Sequence, residues 1–413
     1  MSGEPSGPKR KPIAATGEMG RLMQAHFKGL DHSARTGERK VAWCNSVGPA
    51  ELLRAMDFDV YFPENHGAML GSTRTATENI PAANAIGYSP EVCSYMTSDI
   101  GAFLRNETPL LRAYGIRSVP KPDVLVYNTN QCRDVQEWFN YFGRHFRVPA
   151  IGVDSPRSIV HLNEAIIMDV QFQLEALVPH LERITREPLD TGRLAETVEL
   201  SLIATRLWSD VLETATHSPS PLTFFDGTIH MGPIVVLRGT QEAVEYYDLL
   251  LKEMKDRVRQ GVAAVDGEQH RIYWEGMPIW GRLRAHSELF SRLGCAVVAS
   301  TYCNSWIFND FDPSDPWRSM ARAYSGIFIA RSEEVKERYI REMLKRYSID
   351  GIVFHDSKTC ASNSNARYGM PLRIQEGTGI PALVLDGDLN DMRLVSDEQL
   401  VTNIEAYVEQ LGG

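Results

Sequence analysis

The feature that most constrains the fold is a set of short apolar runs that alternate with helical segments. Four runs in the first half are KVAWC (40–44), DVYFP (59–63), DVLVYN (123–128) and PAIGVD (149–154). Four more in the second half are RIYWEG (271–276), CAVVAS (295–300), GIVFHD (351–356) and PALVLD (381–386). Nearly continuous apolar character is typical of parallel strands that are buried on both faces. The pattern therefore predicts an α/β protein with two doubly wound, flavodoxin-like domains.

A helical segment is predicted to join these two domains. Its apolar residues recur every three or four positions, which forms one stripe on a helix: Leu162, Ile166, Val170, Leu174, Leu177 and Leu181. We predict an N-terminal tail and helix at 1–39 and a first α/β domain at 40–157. A helical linker or cap at 158–230 and a second α/β domain at 231–413 complete the chain.

Charge and composition exclude several classes of function. The formal net charge is −10, whereas proteins that hold nucleic acid through its phosphates need a basic surface. No apolar run approaches the roughly 18 residues of a membrane helix, and no apolar segment follows Lys9, Arg10 and Lys11 as it would in a secretory signal. The six scattered cysteines do not suit a disulfide scaffold. We expect a cytoplasmic protein without a nucleic-acid or membrane partner.

Three cysteines are candidate ligands of a soft metal. Cys132 and Cys360 each follow a predicted strand and a polar turn, and Cys93 follows a helical segment. Ligands of parallel sheets bind beyond the carboxyl ends of the strands, so a cleft between the domains would bring these thiols together. Three thiolates without nearby histidines favour an iron–sulfur cluster or zinc with one open position. The alternative is that each is a small buried apolar side chain, as lone cysteines usually are.

Other residues near the predicted strand ends have a structural interpretation and a functional one. Cys44 and Cys295 lie within apolar runs and are expected in the core, whereas Cys303 follows a strand and is a weaker candidate ligand. In EGMPIW, Glu275 or Trp280 is a candidate for substrate contact, although Trp280 also suits core packing. We expect an aspartate of LDGD (385–388) to pair with Arg393 and so to fix the turn.

The chain resembles the family of 2-hydroxyacyl-CoA dehydratase and benzoyl-CoA reductase subunits from about Lys40 to the C-terminus. The segments that carry this resemblance, in order, are VAWCNSVGPAELL, YFPEN, GYSPEVCSYMTSDIG, NTNQC, RGTQEAVEYYDLL, EGMPIW, SKTC and GIPALVLDGDLNDMR. It implies a 4Fe-4S cluster bound by Cys93, Cys132 and Cys360. It also implies that Ser46 and Glu64 lie near the substrate, although a capping hydroxyl and a solvated or capping carboxylate are their ordinary interpretations.

The same resemblance implies a radical elimination of water. An ATP-hydrolysing iron–sulfur activator donates one electron, and the acyl thioester becomes a ketyl radical anion. This radical expels its 2-hydroxyl, loses a 3-proton and returns the electron, which leaves an enoyl-CoA. Glu64 would assist the proton steps as an acid or base, and Ser46 would hydrogen-bond the hydroxyl or carbonyl. The chain is therefore expected to be a lyase that acts on an acyl-CoA.

Two alternative functions stay open from the sequence. One is a benzoyl-CoA reductase-type subunit, which drives electrons into an aromatic thioester, and the other is a non-catalytic electron-transfer subunit. Ser46 and Glu64 together favour the catalytic interpretation. In either case the resemblance implies an obligate heterodimer with a homologous subunit and transient docking of the activator. The acyl group of the substrate cannot be read from the sequence, because small apolar differences are weakly discriminated in such pockets.

Overall fold

A computed structural model describes residues 12–412 and contains two four-stranded sheets. The strands are β1 (Lys40–Cys44), β2 (Phe58–Tyr61), β3 (Val124–Asn128), β4 (Ala150–Val153), β5 (His270–Glu275), β6 (Cys295–Ser300), β7 (Gly351–Ser357) and β8 (Ala382–Gly387). Every strand pairing is parallel. The spatial orders are β2-β1-β3-β4 and β6-β5-β7-β8. The two sheets thus share one order, and the predicted doubly wound α/β fold is confirmed.

This strand order places a switch point in each sheet. From β1 the chain goes to β2 on one side, and from β2 it returns to β3 on the other side of β1. A crevice therefore opens beyond the carboxyl ends of β1 and β3. The second sheet has the equivalent crevice beyond β5 and β7. Ser46 follows β1 and Cys132 follows β3, while Cys360 follows β7. The order of the strands therefore brings these three residues to the carboxyl edges of the sheets.

Helices fill the connections and cover both sheets. In chain order they are α1 (Thr16–Thr36), α2 (Ala50–Ala55), α3 (Pro63–Ser72), α4 (Ala76–Ala85), α5 (Ser94–Leu104), α6 (Pro109–Tyr114), α7 (Arg133–Phe146), α8 (Glu164–Thr185), α9 (Thr191–Glu213), α10 (Phe224–His230), α11 (Gly232–Val236), α12 (Gln241–Gln260), α13 (Leu283–Arg292), α14 (Thr301–Asn304), α15 (Pro316–Ser325), α16 (Glu333–Arg346), α17 (Met370–Thr378) and α18 (Asp397–Leu411). In the described part of the chain, none is long and apolar enough to cross a bilayer.

Predicted and observed boundaries differ where a specific residue begins a helix. β2 ends at Tyr61 rather than 63, because Pro63 is the first residue of α3. The long helix predicted from near 158 begins at Glu164, where the Asn163 side chain accepts a hydrogen bond from the Ile166 N–H (3.1 Å). The N-terminal tail lies outside the described residues as far as residue 11, and the proposed domain boundaries stay a prediction.

The predicted helical linker contributes directly to the core. Four residues of its predicted stripe are buried: Val170, Leu174, Leu177 and Leu181. In the first turn of the helix, Ile167 is buried rather than the predicted Ile166. These side chains belong to one continuous apolar cluster that also contains residues of both sheets, such as Val126 and Ile352. Because helices and sheets share this core, the block is more than a spacer.

Candidate functional site

A cavity of about 370 Å³ lies beyond the carboxyl edges of the sheets. Residues from both halves of the chain line it, among them Ser46 after β1, Tyr302 on α14 and Asn363 after β7. Glu64 is the only Asp, Glu, Lys, Arg or His among the described lining residues. Most of the remaining wall is apolar or aromatic, which is typical of sites that bind small molecules.

Ser46 and Glu64 form a buried hydrogen-bonded pair at this cavity. Glu64 lies in the first turn of α3, immediately after β2, and Ser46 lies in the turn after β1. One carboxylate oxygen of Glu64 accepts from the Ser46 backbone N–H (2.5 Å) and from the Ser46 hydroxyl (2.8 Å). Burial raises the pKa of Glu64 to about 7, and hydrogen bonds from Ser46 and the Gln131 side chain oppose that rise. A carboxyl group with this pKa can exchange a proton near neutral pH.

A buried arginine holds the Ser46 turn in place. The Arg238 guanidinium donates to the carbonyl oxygens of Ser46 and Gly48, both at 3.2 Å. It also forms an ion pair with Glu51 (2.7 Å), and both side chains are fully buried. Tyr324 hydrogen-bonds both partners and completes the network. Because the charges are paired and hydrogen-bonded, this network can persist in the core and fix the turn.

Each of the three candidate ligand cysteines occupies the N-cap position of a helix or a 3₁₀ turn. Cys93 precedes α5, Cys132 precedes α7, and Cys360 precedes the 3₁₀ turn Ala361–Asn363. Burial is the main cause that raises the pKa of these thiols, to about 12 for Cys132 and about 11 for Cys360. In each case a backbone N–H three residues further on, at Met96, Val135 or Asn363, opposes the rise in pKa. Such N–H groups favour thiolate over thiol.

The structure brings the three thiols together beside the cavity. After burial, the nearby thiols of Cys132 and Cys360 are the next causes that raise the pKa of Cys93 well above its usual range. A residue within three positions of each cysteine lines the cavity: Tyr95, Gln131 and Asn363. Within residues 12–412, no group of three or more His, Cys, Asp or Glu side chains is arranged to hold a metal ion. The thiols thus lie close to one another but do not converge on a single point.

Asp99 links the helices that carry three of these groups. It accepts from the Trp138 indole N–H of α7 (2.8 Å) and hydrogen-bonds the His66 ring of α3 (2.5 Å). Asp99 itself is on α5, and all three side chains are buried. Glu64 lies on α3, whereas Cys93 directly precedes α5 and Cys132 directly precedes α7. The buried Asp99 carboxylate therefore connects the helices that position these three residues.

Asp388 joins the two halves of the chain at the cysteines. Its carboxylate accepts from the Ser94 hydroxyl (2.5 Å), next to Cys93. It also accepts from the backbone N–H (2.9 Å) and hydroxyl (2.6 Å) of Thr359, next to Cys360. Arg393, which we expected to pair with an aspartate of LDGD, instead pairs with Asp391. The aspartate of this turn therefore positions the two cysteine-bearing segments.

We expect Asp388→Asn to lower the free energy of unfolding by about 3 kcal/mol or more. Hydrogen bonds to a charged acceptor contribute about 1.5–3 kcal/mol each, and the amide NH₂ would face backbone N–H groups that need an acceptor. Asp386→Asn is the matched control, because its side chain is 67% exposed and pairs with Lys358. Its effect should stay within about 1 kcal/mol. Urea unfolding of both variants measures the difference, and equal stability would contradict the role assigned to Asp388.

The remaining sequence candidates lie in different places. Cys44 and Cys295 are fully buried in strands, as predicted. Cys303 is also buried, and its thiol faces Thr228 and the Phe224 carbonyl rather than the other three cysteines. Glu275 is buried outside the cavity wall, where Asn365 and Thr301 donate to it. Trp280 lines the cavity, so the alternative of simple core packing is incomplete.

Several cavity residues were not identified from the sequence. The Trp280 indole N–H donates to the Tyr95 hydroxyl, which also hydrogen-bonds Tyr302. Met19, Met23 and Phe27 of α1 form part of the wall, although this segment was assigned only as a tail and helix. The position of Tyr95, two residues after Cys93, was a local signal for its place. No comparable signal existed for α1.

The family model for the D-component of 2-hydroxyglutaryl-CoA dehydratase matches residues 45–411. The chain belongs to this family. A relative from Clostridioides difficile, the (R)-2-hydroxyisocaproyl-CoA dehydratase alpha subunit, is 29% identical over 91% of each chain. The (R)-2-hydroxyglutaryl-CoA dehydratase subunit alpha of Acidaminococcus fermentans is 24% identical over 94% of this chain and 95% of its own. A benzoyl-CoA reductase subunit of Thauera aromatica is 26% identical over 94% of this chain and 93% of its own. The predicted resemblance is thereby confirmed.

Proposed function

We propose that this chain is the substrate-binding, cluster-carrying subunit of a 2-hydroxyacyl-CoA dehydratase. The single observation that carries the proposal is the cavity that Ser46, Glu64 and neighbours of all three cysteines line together. Membership of the D-component family and the names of the dehydratase relatives support the reaction class. The reaction removes water from an (R)-2-hydroxyacyl-CoA and leaves an enoyl-CoA.

Cys93, Cys132 and Cys360 would hold a 4Fe-4S cluster. Their donor set, three thiols on helix N-termini, suits an iron–sulfur cluster, and the irons of a cubane are separate atoms, so the ligands need not meet at one ion. When bound, a cluster with one iron free of a protein ligand supplies electron transfer and Lewis acidity toward an oxygen of the thioester. The helix-terminal N–H groups partly offset the burial that raises the pKa of these thiols, and bound iron would stabilise the thiolate form.

Glu64 and Ser46 would serve the proton steps. After the thioester gains one electron from an ATP-dependent activator, the ketyl radical expels hydroxide from C2. The Glu64 carboxylate takes the proton that C3 then loses and transfers it to the hydroxide, so that water leaves. The radical anion that results then gives the electron back, so the elimination is redox-neutral. Ser46 orients the carboxylate through its N–H and hydroxyl, which both donate to the same oxygen of Glu64.

The partner proposal rests on the relatives, which are named as alpha subunits. We propose that this chain forms an obligate heterodimer with a homologous chain and that the activator docks only transiently. The net charge of −10 makes electrostatic steering of that encounter sensitive to salt. A cytoplasmic location stays a prediction from the sequence.

A benzoyl-CoA reductase-type function is the second candidate, because one subunit of such an enzyme is 26% identical to this chain. A reductase consumes electrons in every turnover, whereas a dehydratase recovers its electron. The number of ATP molecules hydrolysed per product therefore distinguishes the two reactions.

The test is an anaerobic reconstitution of the chain, co-expressed with a homologous subunit, with activator, reductant and ATP. With an (R)-2-hydroxyacyl-CoA we expect many enoyl-CoA molecules per ATP hydrolysed and no net consumption of reductant. The chain alone should be inactive. A stoichiometric demand for ATP and product only from aryl-CoA would favour the reductase. A stable, iron-loaded homodimer that dehydrates the substrate would refute the heterodimer.

A further inference from the structure

The composition of the cavity wall restricts the acyl group. Five methionines line the cavity: Met19, Met23, Met69, Met231 and Met277. Phe27, Val235, Ile327 and Ile329 add further apolar surface. No Lys, Arg or His belongs to the described part of the wall, and Glu64 is its one carboxylate.

On the basis of the proposed function, we propose that the substrate carries an uncharged, apolar acyl side chain and that a distal carboxylate is rejected. A carboxylate in this wall would lose its hydration without gaining a cation, and an unpaired buried charge is strongly unfavourable. The charge of Glu64 would add repulsion. A branched aliphatic or aryl side chain instead buries apolar surface, and flexible methionines can adapt to either shape.

Two arginines of a second, adjoining cavity do not change this conclusion. That cavity, of about 400 Å³, shares Ser305 and Ile327 with the first and contains Arg331 and Arg346. Arg346 is paired with Glu213 (2.6 Å), and one terminal nitrogen of the Arg331 guanidinium donates to the Val160 carbonyl (3.0 Å). Both guanidinium groups belong to the wall of the second cavity and not to that of the first.

The direct test compares two CoA thioesters of similar length on the intact complex without activator, so that no turnover occurs. One is (R)-2-hydroxy-4-methylpentanoyl-CoA, which ends in an isopropyl group, and the other is (R)-2-hydroxyglutaryl-CoA, which ends in a carboxylate. We expect the first to bind at least about 100-fold more tightly, because only the second buries an unpaired charge. Anaerobic titration calorimetry measures both dissociation constants.

A cation placed in the wall should reduce this preference. Met19 is half-buried on α1, so Met19→Lys can be accommodated on a surface helix and would offer a partner to a distal carboxylate. We expect the ratio of the two dissociation constants to fall at least about tenfold. Met168→Lys makes the same change on α8, where the side chain is 62% exposed and outside the cavity, and should leave the ratio unchanged.

The outcomes separate this inference from the proposed function. Equal binding of the two thioesters by the parent complex, or tighter binding of the carboxylate, would overturn the inference alone. Failure of both to bind would overturn the proposed function and the inference with it. The parent complex could bind 2-hydroxyglutaryl-CoA well while the Arg331→Gln variant does not bind it. The acyl group would then extend into the second cavity, and the inference would again be wrong.

Discussion

Replacing Cys93, Cys132 or Cys360 by alanine is expected to remove about four irons and four acid-labile sulfides for each copy of this chain in the complex. Three cysteines are the whole proposed protein ligand set, so the loss of one leaves a cubane with two attachments. Dehydration should fall at least about 100-fold in each variant. Iron and sulfide analysis of anaerobically purified complexes measures the first effect, and the enoyl-CoA assay measures the second.

Cys295→Ala and Cys303→Ala are the matched controls for the cysteine variants. Both side chains are buried, and neither thiol lies with the other three. Their iron content should equal that of the parent. Circular dichroism of all five variants establishes that iron loss is not caused by unfolding. Full iron content in the three ligand variants would refute the cluster assignment, while the fold and the cavity would be unaffected.

Replacing Glu64 by glutamine is expected to slow dehydration about a hundred- to ten-thousand-fold, the usual contribution of a positioned acid or base. Glutamine preserves the volume of the side chain, and its oxygen can still accept from the Ser46 N–H. Binding of the CoA thioester should therefore change only a few-fold. Rates and calorimetric dissociation constants for Glu64→Gln separate these effects. Glu242→Gln, an exposed substitution on α12, should leave both unchanged.

The pH profile gives a second measurement of the Glu64 role. Burial raises the pKa of Glu64 to about 7, so the carboxylate fraction falls as the pH drops through 7. If the carboxylate takes the substrate proton, the parent rate should fall about tenfold per pH unit below about 6. Glu64→Gln should lack this limb. Ser46→Ala removes a hydrogen bond that lowers the pKa of Glu64, so the limb should move to higher pH. A limb that persists in Glu64→Gln would contradict the assignment.

The sequence was sufficient to predict elements whose evidence is local. The strand Cys295–Ser300 was predicted at its observed bounds. Every residue in it is buried, and this burial is visible in the sequence as a nearly continuous apolar run. The helix at Asp397–Leu411 follows Ser396, whose side chain accepts from the Gln399 N–H, and a serine three residues before a glutamine is a local signal for a helix start. Because the strands were predicted to be parallel, their carboxyl ends had to lie at the same edge of each sheet. That topology explains why Cys132 and Cys360 could be predicted to lie near a cleft.

The roles of the candidate site residues came from resemblance rather than from spacing. Spacing alone left the cysteines open between a soft-metal site and ordinary core positions. The structure shows that Cys93, Cys132 and Cys360 lie together and that Ser46 contacts Glu64. The cluster itself stays a proposal, because its proof requires iron analysis.

Only the tertiary structure showed how the site is held and what encloses it. Asp388 contacts Ser94 across 294 positions of sequence, and no periodicity or motif records a pairing of that kind. Likewise, α1 is amphipathic in the way that many surface helices are, and nothing in its sequence states which cavity Met19 and Met23 line. Local patterns determine which residues are buried in an element, because burial follows the repeat of that element. The partner of each buried face depends on packing among elements distant in sequence, and here that packing determined the cavity and its charge.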